Sequence, residues 1–290
     1  MKVSGRTKVC AVIGDPVKHS LSPCFQNAAF QHLNLDFVYV AFTVNVESLE
    51  NAILGVRSLG IYGLNVTMPH KISVIRYLDY LDERADRIKS VNTILNKDGK
   101  LIGYTTDGIG VLNALKYNDV DPKGKKVVIL GAGGAARSAS YALSEVAGEL
   151  VILNRTIRRA RNLAYKVSEL AGVRANVRWG GLTMESLRRE IHEVDILINA
   201  TPVGMSPDVD ETLVDKRLLH PGMVVFDMIY HPLKTRLLRE AEEVGAKTIN
   251  GLSMLIHQGA ASFEIWTGVK APIEVMMKAA EEEIRRRGEA

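Results

Sequence analysis

The sequence predicts a two-domain α/β fold in which helices cover parallel sheets. Short β-branched runs alternate with longer segments of helical period in both halves of the 290-residue chain. A polar stretch, N-D-V-D-P-K-G-K-K (118–126), interrupts this alternation, which then begins again. A glycine-rich turn follows the first strand after that stretch, as expected of a doubly wound nucleotide-binding sheet.

In the first half, strands and helices are predicted in alternation, followed by a hairpin. The apolar runs on either side of K-D-G-K (97–100) predict that hairpin within 92–104, with helix following to about residue 117. The predicted strands are 9–14, 37–42 and 62–67, and the helices between them lie near 23–33 and 46–58.

In the second half, one parallel sheet is predicted, followed by two closing helices. The predicted strands are 126–131, 150–155, 195–201 and 224–230, and the closing helices are roughly 252–266 and 272–287. Buried parallel strands are near-continuous apolar runs, as these are.

Composition excludes several classes of protein. With 47% hydrophobic and 24% charged residues and a net charge of +4, the chain is typical of globular proteins. Its basic clusters lack interleaved aromatics, so we expect no nucleic-acid partner. Its apolar runs are too short for a membrane span. Cys10 and Cys24 have no metal-ligand spacing and form no disulfide framework, and the N-terminus runs directly into a strand. We therefore expect a cytoplasmic protein without a metal.

The turn G-A-G-G-A-A (131–136) has the context of a dinucleotide-binding loop. Gly131 permits the tight turn, Gly133 lets the backbone approach a pyrophosphate, and Ala136 replaces the third glycine where helix packs on sheet. Amides at the helix N-terminus would hold the phosphates. A glycine turn without a ligand is the alternative.

The end of the next strand indicates which dinucleotide binds. NAD enzymes usually have Asp or Glu there for the ribose hydroxyl. This chain instead has Asn154, Arg155 and Thr156, followed by Arg158 and Arg159. Guanidiniums can clamp a 2′-phosphate and no carboxylate repels it, so NADP is the predicted cofactor.

Two polar clusters occur at predicted strand ends in the first half. Ser20 and Ser22 precede a helix and could cradle a carboxylate, or simply form a capping turn. In N-V-T-M-P-H-K (65–71), Pro69 is predicted to be the first helical residue. A lysine is mildly unfavourable at a helix N-terminus. Lys71 therefore either points into solvent or has a function that requires an ammonium at that position.

Three further polar residues stand out beyond these clusters. Asn92 begins the predicted hairpin and Asp107 follows it, where Asp107 would serve equally well as a helix N-cap. Gln258 lies on an otherwise apolar helix, where a lone glutamine is usually a satisfied interface group.

Taken together, these motifs resemble the shikimate dehydrogenase family. The resemblance covers residues 20 to 258. The motifs that carry it are S-L-S-P, N-V-T-M-P-H-K, V-N-T, T-D-G, G-A-G-G-A-A, N-R-T, A-T-P-V-G-M (200–205), D-M-I-Y (227–230) and G-L-S-M-L-I-H-Q (251–258).

The resemblance implies a substrate domain of residues 1–108 plus 253–290 and a Rossmann-type NADP domain of 109–252, with the active site in the cleft between them. It implies reversible reduction of 3-dehydroshikimate to shikimate in aromatic amino acid biosynthesis, by a monomer or small homodimer. Lys71 and Asp107 would be the catalytic pair. Ser20, Ser22, Thr67, Asn92, Asp107, Tyr230 and Gln258 would bind substrate; Gly131, Ala132, Gly133, Gly134, Ala135, Asn154, Arg155, Thr156, Arg159, Met228 and Gly251 would bind cofactor.

The chemistry of ketone reduction explains why the site would contain a lysine and an aspartate. Reducing a ketone produces an alkoxide, which needs either a proton donor or a stabilising cation. Lys71 can serve as either, and Asp107 could orient the ammonium and accept a bond from a ring hydroxyl. A quinate/shikimate dehydrogenase that uses NAD would share nearly every motif. A non-catalytic NADP-binding sensor would lack the Lys–Asp pair.

Overall fold

The computed structural model describes residues 3–170 and 175–288. Within these ranges the chain divides into two compact units: the first runs up to Thr106 and includes Gln258–Gly288, and the second is Asp107–His257. The sequence-based domain boundaries lie after residues 108 and 252. The second structural boundary falls inside a helix.

Strands and helices alternate along most of the described chain. Two short 3₁₀ helices, Ser73–Tyr77 and Lys216–Leu218, supplement them. In chain order the elements are β1 Lys8–Gly14, α1 Ser22–His32, β2 Phe37–Thr43, α2 Leu49–Ser58, β3 Gly63–Val66, β4 Tyr80–Leu81, α3 Glu83–Ile88, β5 Thr93–Lys97, β6 Lys100–Tyr104, α4 Asp107–Tyr117, β7 Lys126–Leu130, α5 Gly134–Ser144, β8 Glu149–Asn154, α6 Ile157–Ser168, β9 Asn176–Gly181, α7 Met184–Ile191, β10 Ile196–Asn199, β11 Val224–Asp227, α8 Arg236–Glu243, β12 Lys247–Ile249, α9 Gly251–Thr267 and α10 Ile273–Arg286.

The first unit is built on a mixed sheet of order β2-β1-β3-β5-β6-β4. Strands β2, β1 and β3 are parallel, whereas β5 runs antiparallel to both β3 and β6. The β5–β6 pair is the hairpin that the sequence predicts. On one side of this sheet an apolar cluster includes Ile13, Ile53, Leu64, Ile94 and Leu101.

The second unit is built on an all-parallel sheet of order β12-β11-β10-β7-β8-β9. The strand order reverses next to β7, because the chain first proceeds outward through β8 and β9 and then returns to pair β10 on the other side of β7. Ligands of such sheets bind outside the carboxyl ends of the strands at this reversal. The glycine turn that follows β7 lies at that position, and the prediction of a Rossmann-type second domain is confirmed.

The three strands that the sequence analysis does not predict all lie at sheet edges. Strand β4 has two residues and β12 has three, which is too short for a visible period. Strand β9 is longer, but none of its residues is buried, so it lacks an apolar face. Among the described residues, no helix is long and apolar enough to cross a membrane.

Candidate active site

The glycine turn after β7 has a backbone that only glycine adopts readily. Gly131 has φ +113°, and a Cβ there would lie 3.0 Å from the carbonyl oxygen of Ala200. Around Gly133 and Gly134 the space is open, since a Cβ at either position would meet nothing within 4 Å. Helix α5 begins at Gly134 without an acidic residue in its first turn. Its amides can therefore donate hydrogen bonds to a nearby anionic group, which fits a pyrophosphate.

The end of β8 lies beside this turn and presents positive charge. Strand β8 pairs with β7, and the amide of Gly131 donates to the carbonyl of Leu153 at 2.7 Å. Arg155 and Arg159 are exposed, and the first turn of α6 contains no acidic residue. This arrangement fits a dinucleotide with a phosphate on its ribose better than one with a free hydroxyl there.

A buried aspartate holds the loops after β10 and β11. Asp227 Oδ1 accepts hydrogen bonds from Asn199 Nδ2 at 3.0 Å and from the Ile229 amide at 3.1 Å. Its Oδ2 accepts from Thr235 Oγ1 at 2.7 Å. Burial raises the pKa of Asp227 to about 6, although the three donors oppose this rise. The carboxylate thereby fixes the turn D-M-I-Y (227–230).

The start of α9 packs against that same turn. A Cβ on Gly251 would lie 2.2 Å from the carbonyl oxygen of Met228, and the Gly251 amide donates to the carbonyl of Ile229 at 2.9 Å. Only a glycine permits this approach. Met228 and Tyr230, both predicted site residues, are half-buried in this turn.

In the first unit, the two predicted carboxylate-binding serines lie at the start of α1. The Ser22 amide donates to Ser20 Oγ at 3.2 Å, so Ser20 acts in part as the capping turn that the sequence also allowed. Ser22 is buried. Both hydroxyls therefore belong to a fixed local structure rather than to a mobile loop.

The prediction that Pro69 begins a helix is wrong. Two successive turns follow Thr67 instead, and the 3₁₀ helix begins only at Ser73. The reason is tertiary: the buried imidazole of His70 reaches the carbonyl of Val44 through Nε2 at 2.6 Å, and the Val91 amide donates to the carbonyl of Lys71 at 2.8 Å. These bonds hold the backbone away from a helical path.

The same bond brings the predicted catalytic lysine close to a predicted substrate ligand. Because Val91 precedes Asn92 directly, the Lys71 backbone is tied to the segment that carries the Asn92 amide. Lys71 is half-buried, whereas the Asn92 side chain is buried. Thr67, also half-buried, lies at the end of β3, where its methyl would clash with a Cβ on Gly14.

Asn92 is held by a network of buried polar groups. Its Nδ2 donates to Thr106 Oγ1 at 2.9 Å and to Gln258 Oε1 at 3.2 Å. Its Oδ1 accepts from the Thr106 amide at 2.8 Å. Two predicted substrate ligands, Asn92 and Gln258, are therefore in direct contact.

The network continues through Asn65 to Tyr39 on β2. Asn65 Nδ2 donates to the carbonyl of Asn92 at 3.0 Å, and Asn65 Oδ1 accepts from the Tyr39 hydroxyl at 2.6 Å. Burial raises the pKa of Tyr39 well above its usual value, so this hydroxyl keeps its proton. The network therefore includes two of the predicted substrate ligands of this unit, Asn92 and Gln258.

Sequence analysis did not single out several members of this network: Tyr39, Asn65, Thr93, Thr106 and Ser262. Asn65 lies inside a quoted motif, so its burial on a central strand was a usable signal. Thr93 and Thr106 likewise lie in the quoted motifs V-N-T and T-D-G, whereas Tyr39 and Ser262 sit within apolar runs, and only the order of the strands brings these side chains together.

Asp107 is the first residue of α4 and of the second unit. Its side chain is buried, and the glycine after it lets α4 approach α5 closely: a Cβ on Gly108 would lie 3.1 Å from the carbonyl oxygen of Ser138. The start of α4 is thus fixed against the helix that follows the glycine turn. In the described ranges, no three His, Cys, Asp or Glu side chains are grouped as a metal site.

Three protein-family models match the chain in succession. The shikimate dehydrogenase substrate binding domain matches residues 12–94, shikimate / quinate 5-dehydrogenase matches 114–228, and the shikimate 5′-dehydrogenase C-terminal domain matches 251–281.

Similar proteins extend over nearly the full chain. A shikimate dehydrogenase (NADP(+)) of Methanopyrus kandleri is 49% identical over 98% of this chain and 99% of its own. A crystal structure of a shikimate dehydrogenase in complex with NADP+ is 48% identical and has a TM-score of 0.91, covering 98% of each chain. The shikimate 5-dehydrogenase of Listeria monocytogenes, in complex with shikimate and NAD, is 39% identical with a TM-score of 0.90, covering 96% of this chain and 98% of that one.

A more distant structural relative has the same fold but carries a different enzyme name. A quinate dehydrogenase of Corynebacterium glutamicum in complex with NAD is 28% identical and has a TM-score of 0.88, covering 95% of this chain and 99% of that one.

Proposed function

The chain belongs to the shikimate dehydrogenase family, and from that premise we propose that it catalyses the reversible NADPH-dependent reduction of 3-dehydroshikimate to shikimate. The observation that carries the proposal is the bond between the Val91 amide and the Lys71 carbonyl. It ties a half-buried lysine to Asn92, whose amide contacts Gln258. A half-buried lysine and two amides that are proposed to bind ring hydroxyls thus belong to one structural unit.

The cofactor is proposed to be NADP, held in the second unit. The open space over Gly133 and Gly134, the positive φ of Gly131 and the exposed guanidinium of Arg155 support this. When bound, the reduced cofactor supplies the hydride. The residues proposed to contact it are Gly131, Ala132, Gly133, Gly134, Ala135, Asn154, Arg155, Thr156, Arg159, Met228 and Gly251.

The substrate is proposed to be held mainly by the polar network of the first unit. Ser20 and Ser22 would bind the carboxylate, since a helix start and two hydroxyls favour an anion. Thr67, Asn92 and Gln258 would hold ring hydroxyls. From the second unit, Tyr230 is proposed to lie close to the substrate, and Asp107 to accept a bond from a ring hydroxyl.

Lys71 and Asp107 are the proposed catalytic pair. An ammonium at the reacting oxygen can donate its proton as charge develops there, or stabilise that charge without transfer. Asp107 would orient the ammonium. Both roles require an ammonium that is partly withdrawn from water, and the half-burial of Lys71 supports this.

The proposed function is tested by following the NADPH absorbance band while shikimate and NADP+ are supplied. Formation of NADPH that depends on shikimate is expected, and its absence from the folded enzyme would overturn the proposal. Quinate with NAD+ is the comparison that tests the alternative of a quinate/shikimate dehydrogenase. A site that hydrogen-bonds each substrate hydroxyl can discriminate by roughly 10⁴-fold. The arginine-rich end of β8 favours a higher kcat/KM with NADP+.

The proposal also covers the roles of the two units, the cellular location and the oligomeric state. We take the first unit to be the substrate domain and the second to be the NADP domain, as the positions of the network and the glycine turn support. The free thiols of Cys10 and Cys24 support a reducing, cytoplasmic location. A homodimer stays a prediction, which sedimentation equilibrium would test.

A further inference from the structure

The hydroxyl of Ser262 lies at the centre of the buried network in the first unit. Its Oγ is 2.7 Å from Thr93 Oγ1 and 3.0 Å from Asn65 Nδ2. It is also 3.1 Å from the carbonyl oxygen of Gln258, one helical turn earlier in α9. Ser262 and Thr93 are wholly buried, so no water replaces a lost partner.

The donors and acceptors around this oxygen permit an assignment in which every polar group has a partner. An amide Nδ2 can only donate, so Ser262 Oγ accepts from Asn65. A carbonyl can only accept, so in this assignment the Ser262 proton goes to Gln258 O. Thr93 then donates its own proton to Ser262; in the alternative, Ser262 donates to Thr93 and Thr93 donates to Asn92 Oδ1 at 3.2 Å. Every polar atom of this group thereby has a partner, as a buried network requires.

These bonds connect the two amides that are proposed to hold the substrate. On one side, Ser262 fixes the turn of α9 that carries Gln258. On the other, it holds Asn65, whose Nδ2 also donates to the carbonyl of Asn92. The contact between Asn92 Nδ2 and Gln258 Oε1 completes a closed ring of hydrogen-bonded residues. One hydroxyl therefore sets the distance between the strand ends and the helix that carry the two amides.

We propose that Ser262 is a positioning residue for substrate binding, acting through Asn65 and Gln258 and not by contact with substrate. This inference rests on the proposed function, because Asn92 and Gln258 are taken as substrate ligands. Loss of the Ser262 hydroxyl removes one acceptor from Asn65 Nδ2 and one from Thr93. Asn65 keeps its bond to the Asn92 carbonyl, but the contacts left to replace the lost bonds are longer, at 3.2 Å from Asn65 Nδ2 to Thr93 Oγ1 and 3.2 Å from Thr93 Oγ1 to Asn92 Oδ1. The two side chains then turn to find other partners, and the amide pair loses its fixed spacing.

Steady-state kinetics of Ser262→Ala provide the test. We expect the KM for shikimate to rise about tenfold, equivalent to about 1.4 kcal/mol. We expect kcat to change by less than about threefold and the KM for NADP+ to stay unchanged, since the network is confined to the first unit. A purely structural role would lower the active fraction and hence the apparent kcat, without this selective rise in one KM.

Two further variants keep the test decisive. Ser144→Ala is the matched control, because Ser144 is equally buried and donates within its own helix to the carbonyl of Tyr141, outside the network. It should leave both KM values unchanged. Thr93→Val removes the other end of the 2.7 Å bond with little change of shape. It should raise the KM for shikimate, and it decides the question alone if Ser262→Ala fails to fold.

The outcomes separate this inference from the proposed function. Wild-type enzyme without shikimate-dependent NADPH formation overturns the proposed function and the role of Ser262 with it. Active wild-type enzyme with an unchanged KM for shikimate in both network variants overturns the positioning role alone. An equal rise in the KM values for shikimate and NADP+ likewise overturns it. If the changes in the KM for shikimate caused by Thr93→Val and Ser262→Ala do not add in the double variant, the positioning role is supported, because the two hydroxyls share one hydrogen bond.

Discussion

Replacement of Asp227 by asparagine should remove a pH-dependent loss of stability. Raising the pKa of this carboxyl from 3.8 to about 6 corresponds to about 3 kcal/mol, at about 1.36 kcal/mol for each pKa unit. The folded protein therefore holds a proton that the unfolded chain has lost between about pH 4 and pH 6. It follows that this group's contribution to the free energy of unfolding is full below pH 4 and is lost as the pH rises through 6.

Asparagine is a suitable probe because it can keep most of the bonds of Asp227. Its oxygen can still accept from Asn199 Nδ2 and the Ile229 amide, and its Nδ2 can donate to Thr235 Oγ1, which the carboxylate instead accepts from. The cost of that reversal does not depend on pH. The difference in unfolding free energy between variant and wild type should thus shift by about 2 kcal/mol in favour of the variant from pH 4 to pH 7, since part of the full effect falls outside this range.

Urea unfolding followed by far-UV circular dichroism at several pH values measures this difference. Other carboxyls titrate in the same range, but they cancel when variant and wild type are compared. Asp215→Asn is the control: the Arg217 guanidinium holds the pKa of Asp215 below its usual range, so the contribution of Asp215 is complete above pH 4 and is lost only at lower pH. The Asp215→Asn difference should therefore stay nearly constant from pH 4 to pH 7. If the Asp227→Asn difference is the same at pH 4 and pH 7, burial of that carboxylate has no thermodynamic consequence and the reasoning fails.

Three other changes test the proposed site. Lys71→Ala should lower kcat by roughly 10²–10⁴-fold while the KM for shikimate changes much less, and a near-native kcat in the folded variant would exclude a catalytic role. Arg155→Ala should raise the KM for NADPH far more than that for NADH, whereas an equal loss would mean that Arg155 does not bind the 2′-phosphate. Gly251→Ala should lower stability by roughly 1–3 kcal/mol, because its Cβ would lie 2.2 Å from the Met228 carbonyl oxygen; an unchanged Tm would contradict this.

The sequence predicts elements that an unbroken local pattern specifies. Strands such as β1 and β7 are continuous apolar runs, and the hairpin of β5 and β6 has its turn residues in place. Edge strands such as β9 have no buried face and so no period to detect. The helix predicted at Pro69 fails for another reason: its backbone is bound by Val44 and Val91, which are distant in sequence.

The individual polar residues of the site are predictable only where a motif carries them. Asn92 and Gln258 stand in motifs of the family, so the resemblance identifies them from the amino-acid order alone. Ser262 stands among apolar residues of α9 and has the pattern of an ordinary helical serine. Its importance arises because β3 and β5 are neighbours in the sheet, which brings Asn65 and Thr93 to the same helix face.

Both units contain buried polar groups at positions where apolar groups would stabilise the fold as well or better. The carboxyl of Asp227 opposes folding at neutral pH, and the hydroxyls of Thr93 and Ser262 take space in a core. Replacing both partners of a buried hydrogen bond with apolar groups of similar shape is often nearly neutral, whereas removing one leaves an unsatisfied group. Thr93→Val leaves Asn65 Nδ2 and the Ser262 hydroxyl with acceptors, so this variant should melt above Ser262→Ala, yet still bind shikimate weakly. Such a separation of stability from affinity is what distinguishes a network that orients ligands from one that only fills a core.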